Sequence, residues 1–213
     1  MTVMTDVDLR AELGEARDQR RRPTCLAFAV SAAHEASRKS AEYLSTEVLF
    51  YCGVQRSHRD PRRGLSPTAV GEALREDGQP VENAWPYLPD SPDAASWKPP
   101  AISVPSHKAV VTFVPRTSAE VRAAVCAGMP VVLVVSLTLA MYAPDKEGIV
   151  RGGPTDRAVA SKHAVLAVGA GHGVDGEYIL VRNSWGQHWG ILGHGWLHDA
   201  YLAAQLQNTG VIS

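Results

Sequence analysis

Helix-forming and strand-forming residues fall in different halves of this 213-residue chain, and that division limits the fold more than any other feature. Before residue 105, small and apolar residues recur at helical spacing behind polar caps. From Cys25 they continue through Val30, Ala33 and Ala36 to Lys39, which predicts a helix of about four turns with one buried face. Ser45 is placed to cap a second helix through Tyr51, and Ser66-Pro67-Thr68 opens a third that runs through Leu74 and stops at Asp77-Gly78. After residue 105, β-branched runs take over at Val110 to Val114, Val131 to Leu137, Ala164 to Gly169 and Tyr178 to Arg182, the last two separated by a turn at Asp175-Gly176. One helix interrupts them, introduced by the capping-box pattern Thr117-Ser118-Ala119-Glu120 and ended by Gly128 and Pro130. The fold class is therefore α+β. A mainly helical subdomain over residues 1–105 and a mainly β subdomain over residues 106–213 are expected, the second a twisted antiparallel sheet. The proline-rich stretch Pro86 to Pro105 is the candidate crossover.

Composition narrows the function. A hydrophobic content of 45% in a chain of this length fills one substantial core or two smaller ones packed together. A formal net charge of -1 argues against a general nucleic-acid binder, and no apolar run is long enough to span a bilayer, so neither nucleic acid nor membrane is an expected partner. Met1 to Arg10 is acidic and lacks the apolar core of a secretion signal. Three cysteines are too few for a secreted disulfide framework, so three free thiols in a reducing, cytoplasmic compartment are expected.

The chemistry centres on Pro23-Thr24-Cys25. Proline enforces an extended approach, threonine is placed to cap the helix, and Cys25 then falls in the first helical turn. Unpaired amides and the positive end of the helix dipole there favour a thiolate, the nucleophilic form. His163 opens an apolar, strand-forming run, where a general base can project from a strand end, and Asn183 ends a second strand with an amide able to orient an imidazole. Cysteine, histidine and asparagine thus supply a nucleophile, a base and an orienter.

With these residues in order, the chain resembles the papain-like cysteine peptidases. The likeness rests on Gln19 six residues before Cys25, on His163-Ala164-Val165, and on Asn183-Ser184-Trp185-Gly186. A weaker block runs from Leu44-Ser45-Thr46-Glu47 through Cys52 and a loop at Gly64 to Trp85-Pro86-Tyr87. Together the blocks extend from about Arg17 to Trp196. The resemblance implies a papain-like fold, a helical subdomain and an antiparallel, β-barrel-like subdomain meeting at an active-site cleft, and peptide-bond hydrolysis of a protein or peptide substrate through an acyl-thioester. It implies Cys25, His163 and Asn183 as the catalytic set. Gln19 and the Cys25 amide would stabilise the oxyanion, and Trp185 would shield the His163–Asn183 bond. Gly64, Leu65, Ser161, Lys162 and Ala164 would contact substrate, and neither metal nor other cofactor is needed. The same site can alternatively form amide bonds as an acyltransferase or ligase, or persist as a non-catalytic peptide-binding relative.

The chain departs from the family at Leu26, where a tryptophan usually follows the nucleophile, at Arg22, where a disulfide cysteine is usual, and at Lys162, where many relatives carry an acid. A lysine beside His163 disfavours the imidazolium. Cys52 matches a family disulfide position, while Cys126 lies in a different segment from the usual partner. Arg20-Arg21-Arg22 and Arg62-Arg63 are placed to attract acidic substrates if they face the cleft. His188, His194 and His198 match no strong metal-ligand spacing, and Gly169 to Gly176 joins two strands rather than cradling phosphate. Fewer than twenty residues precede Gln19, short of the inhibitory leader with which family peptidases are usually made. Control is therefore expected from a regulatory or substrate-presenting protein partner, scarce substrate or narrow specificity.

Overall fold

The structure, a computed structural model, describes residues 2–93, 96–152 and 156–213. The helical segments form where caps and apolar spacing place them. Helix α1 (Cys25–Arg38) has a nearly continuous buried run from Leu26 to Ala36 and ends as Lys39 turns left-handed at φ 50°. Its alanines keep it slim, so it lies directly on the sheet. Helix α2 (Thr46–Ser57) continues six residues beyond Tyr51, and its Ser45 Oγ accepts from the Val48 amide at 3.2 Å. Helix α3 (Pro67–Glu76) starts on Ser66, with proline in the first turn where its missing N–H costs nothing. The capping box at Thr117 and Glu120 forms as expected and starts α4 (Ser118–Cys126).

The strands are β1 (Met4–Asp8), β2 (Val111–Val114), β3 (Val131–Thr138), β4 (Ile149–Val150), β5 (Ala158–Gly173), β6 (Gly176–Arg182), β7 (His194–His198) and β8 (Leu206–Ile212). They form one sheet in the order β2-β8-β3-β5-β6-β7-β4, with β1 added against the far end of β5. The expected barrel does not close: β2 and β4 are the ends of the order, and β4 pairs in parallel with β7 while the other pairings are antiparallel. Helix α5 (Asp199–Gln205) fits between β7 and β8.

Both sheet faces are covered there, which explains why Val131 to Val135 of β3 and Ala164 to Val168 of β5 read as unbroken apolar runs rather than alternating ones. Val132, Ala164, Leu166 and Val168 pack with α1, α2 and α3, whereas Val131, Leu133, Val135, Val165 and Ala167 pack with α4 and α5. Successive side chains of one strand thus feed opposite cores. The amino terminus does not stay with the helices: β1 crosses to the sheet and pairs Met4 with His172. No helix among the described residues is long and apolar enough to cross a membrane.

Arg22 turns inward rather than into solvent. It is 2% exposed and grips Glu47, at 0%, with Nη1–Oε2 2.5 Å and Nη2–Oε1 3.0 Å. Glu47 also accepts from Trp97 Nε1 at 2.7 Å and from the Leu88 amide at 3.1 Å, so its charge is fully satisfied. The Arg22 guanidinium lies over the rings of Tyr87, Phe50 and Trp97. An ionic clasp therefore holds the segment before α1 to α2, beginning at a position where the family usually carries a disulfide cysteine. All three cysteines, Cys25, Cys52 and Cys126, are free.

Candidate active site

Cys25 is the first residue of α1, so its backbone amide belongs to the unpaired first turn. Thr24 does not cap it: the hydroxyl bonds Tyr87 Oη at 2.8 Å, and no side-chain cap forms. Tyr87 in turn donates to the Gln19 carbonyl at 2.8 Å, tying the start of α1 to the Gln19 segment.

His163 lies on β5, pairing with Val135 of β3, and Asn183 follows the end of β6. Asn183 Oδ1 lies 2.7 Å from His163 Nε2 and also accepts the Ser184 backbone N–H at 2.8 Å. A backbone N–H can only donate, so the atom facing it must be the amide oxygen. Nε2 is then the protonated nitrogen, and in the neutral ring Nδ1 carries the free lone pair. The Asn183 amide nitrogen has no hydrogen-bond partner among the described residues, so the oxygen alone fixes the side chain. Trp185 covers the ring at 4.5 Å between centroids, and Tyr142 stacks on the outer side of Trp185 at 5.1 Å.

Gln19 is joined to the same segment. Its backbone amide donates to the Ser184 carbonyl at 2.8 Å, its Oε1 accepts from Ser184 Oγ at 2.6 Å, and its Nε2 donates to the Arg22 carbonyl at 2.7 Å. One hydrogen of that amide nitrogen is left over. The Gly186 amide donates to the Arg17 carbonyl at 3.2 Å, so residues 17–19 and 184–186 are zipped together. Gly186 needs its left-handed φ of 77° there, and a Cβ would press 3.2 Å from Asp18 Oδ2.

Gln19, Cys25, His163 and Trp185 line one cavity of about 740 Å³. Gly64, Leu65, Ser161, Lys162 and Ala164 line it as well. Asn183 lies behind this wall, reaching the cavity only through His163. Gly64 passes so close to the Pro23 carbonyl that a Cβ would sit 3.2 Å from its oxygen. Arg62 and Arg63 do not line the cavity; Arg59, three residues earlier, does.

Burial sets the resting charges against the expectation of a lowered thiol. It pushes the Cys25 thiol up, with backbone hydrogen bonding in the first helical turn and to Ala164 opposing it more weakly. It pushes His163 down to about 4, with the Asn183 bond opposing; burial, and not Lys162, is the cause. Burial thus disfavours either charge alone, a thiolate on Cys25 or an imidazolium on His163.

Two of the three histidines considered for a metal are hydrogen-bonded to backbone carbonyls. His194 Nδ1 bonds the Leu192 carbonyl, and His198 bonds the Asp175 carbonyl while capping α5. Sequence reasoning missed Tyr142 and Arg59, which sit in segments without a recognisable pattern, and it overlooked the work of Ser184 inside a motif it had already singled out.

The sequence comparison gives the class: the papain family cysteine protease model matches residues 3–209, and the chain belongs to that family. It is 27% identical over 203 residues to vignain of Phaseolus vulgaris, covering 91% of this chain and 54% of the relative. It is likewise 27% identical over 183 residues to a senescence-specific cysteine protease of Oryza sativa subsp. japonica, covering 82% and 51%. The chain thus spans about half the length of these curated relatives. Among solved structures, xylellain, a cysteine protease from Xylella fastidiosa, superposes with a TM-score of 0.78 at 21% identity over 97% of this chain and 85% of its own. A Carica candamarcensis cysteine protease in complex with E-64 gives 0.73 at 23% identity, over 97% of each chain.

Proposed function

We propose that this chain is a cysteine peptidase that hydrolyses peptide bonds in a protein or peptide substrate. Cys25 acts as nucleophile, His163 as general base and acid, and Asn183 as the orienter of the imidazole. The observation that carries this reading is the His163–Asn183 bond, which fixes the tautomer with a basic Nδ1 in the cavity wall that Cys25 shares. Nδ1 takes the thiol proton as sulfur attacks the carbonyl carbon. The oxygen of the tetrahedral intermediate accepts from the Cys25 backbone amide and the second hydrogen of Gln19 Nε2. The imidazolium then protonates the leaving amine as the C–N bond breaks, leaving a thioester. Water gives a proton to His163 and attacks the thioester carbon; the carboxylic acid leaves and the thiol is restored.

The test is incubation with a peptide library and mass analysis of the products, together with labelling by E-64, the inhibitor held by one structural neighbour. Hydrolysis that disappears in Cys25→Ala supports the proposal, whereas ligated products or binding without turnover would overturn it. Gln19→Ala gives a second arm: it should slow amide turnover by about 10²–10³-fold while leaving Cys25 alkylation nearly unchanged, because alkylation forms no oxyanion.

A further inference from the structure

We propose that the cleft selects peptides carrying acidic side chains next to the scissile bond. The proposal rests on the peptidase reading for its substrate and on charge placement for its selectivity. Five cationic side chains line the cavity, namely Arg20, Arg21, Arg22, Arg59 and Lys162, and none of the lining residues is acidic. Two of the five are neutralised: Arg22 by buried Glu47, and Arg20 by Asp18 at 3.3 Å. Asp60, next to Arg59 in sequence, is held by Arg62 at 2.8 Å. Arg21, Arg59 and Lys162 are exposed and have no carboxylate partner among the described residues.

These three come from separate parts of the chain. Arg21 belongs to the segment leading into α1, Arg59 follows α2, and Lys162 sits on β5 beside His163. A peptide laid across Cys25 is therefore met by positive charge from both subdomains. The sign is local, because the chain as a whole carries a net charge of -1. Low-dielectric walls concentrate such a field inside a cleft, which is where a one-signed lining has its largest effect on a charged substrate.

The experiment compares matched peptides that differ only in having acidic, neutral or basic residues flanking one cleavable bond. We expect kcat/KM for the acidic peptide to exceed that for the basic one by about tenfold at low salt, at the low end of what charged clefts achieve. The gap should narrow at high salt and close or reverse in Arg21→Glu/Arg59→Glu, or narrow in the milder Arg59→Gln if the double variant does not fold. Equal rates, a basic preference, or a preference indifferent to salt and to these substitutions would overturn the proposal.

If no peptide is cleaved, the peptidase reading fails and the charge inference is judged separately by alkylation. In that reaction the Cys25 sulfur displaces iodide from anionic iodoacetate or neutral iodoacetamide. A rate ratio in favour of iodoacetate that falls when Arg21 and Arg59 are replaced supports a cationic cleft. An unchanged ratio sinks it.

Discussion

Asn183 Oδ1 accepts from both the His163 ring and the Ser184 backbone, and the second bond makes the first unambiguous. The imidazole is left with one neutral tautomer in which Nδ1 is the base. Asn183→Ala removes the orienter but not the base, whereas His163→Ala removes the base itself. We expect kcat to fall by about 10²–10⁴-fold in His163→Ala and by a smaller factor in Asn183→Ala. Steady-state kinetics on a cleavable peptide checks the order; a larger loss in Asn183→Ala would contradict it.

Separating half-buried Cys25 from buried His163 exposes what each does alone. In Cys25→Ala, His163 should titrate near about 4, because burial withholds water from the imidazolium and no thiolate replaces it. In His163→Ala, the Cys25 thiol should stay protonated above the ordinary cysteine range and be alkylated more slowly than exposed Cys126. NMR titration of the ring and mass-resolved alkylation of the three cysteines measure these outcomes. A His163 value at or above 6.5 would show that burial does not dominate.

The clasp beneath the cleft should be sensitive to the loss of one partner. Arg22→Met leaves Glu47 charged and enclosed, with only Trp97 and Leu88 to solvate it. Breaking such a pair costs about 3–5 kcal/mol, far more than an exposed ion pair contributes. Arg62→Met, which breaks an exposed pair, is the control and should leave stability nearly unchanged. Denaturant unfolding of both variants compares them directly.

His194 predicts the acid side of the stability curve. It is 7% exposed, and burial pushes it down to about 4. The unfolded chain binds this proton below about pH 6.5 while the folded chain does so only near pH 4, so stability falls as pH drops between those values and levels off below. The loss is roughly 3 kcal/mol for this one group. His194→Gln should flatten that part of the curve in urea unfolding followed against pH, and an unchanged slope would refute the assignment.

What was legible in the sequence was mostly local. Ser45, Ser66 and the Thr117–Glu120 box announce helices because a cap and the amides it serves are three residues apart. Runs such as Val131 to Leu137 announce strands because both sheet faces are covered. Features set by distant partners were hidden. Met4–Asp8 is largely exposed and gains its strand character from β5, far along the chain. Thr24 looked like a cap until Tyr87 took its hydroxyl. Arg22 read only as part of a basic run because Glu47, which it grips, lies 25 residues away. The site residues were recognisable by type and order, but the resting charges were not: a helix start favours a thiolate, and only the burial of Cys25 and His163 reveals the opposing effect.

The zipper between residues 17–19 and 184–186 also bears on when the site comes into being. Ser184 Oγ reaches Gln19 across 165 residues of chain, so the Gln19 and Asn183–Ser184 segments are locked together only by closing a loop that holds most of the protein. Loop-closure entropy must be met before so distant a contact returns any energy, and contacts of this kind form late. While the chain is being synthesised, α1 and its thiol emerge long before Ser184 exists to hold Gln19. Until then the nascent chain carries the thiol without the Gln19–Ser184 tie that the proposed site is built on.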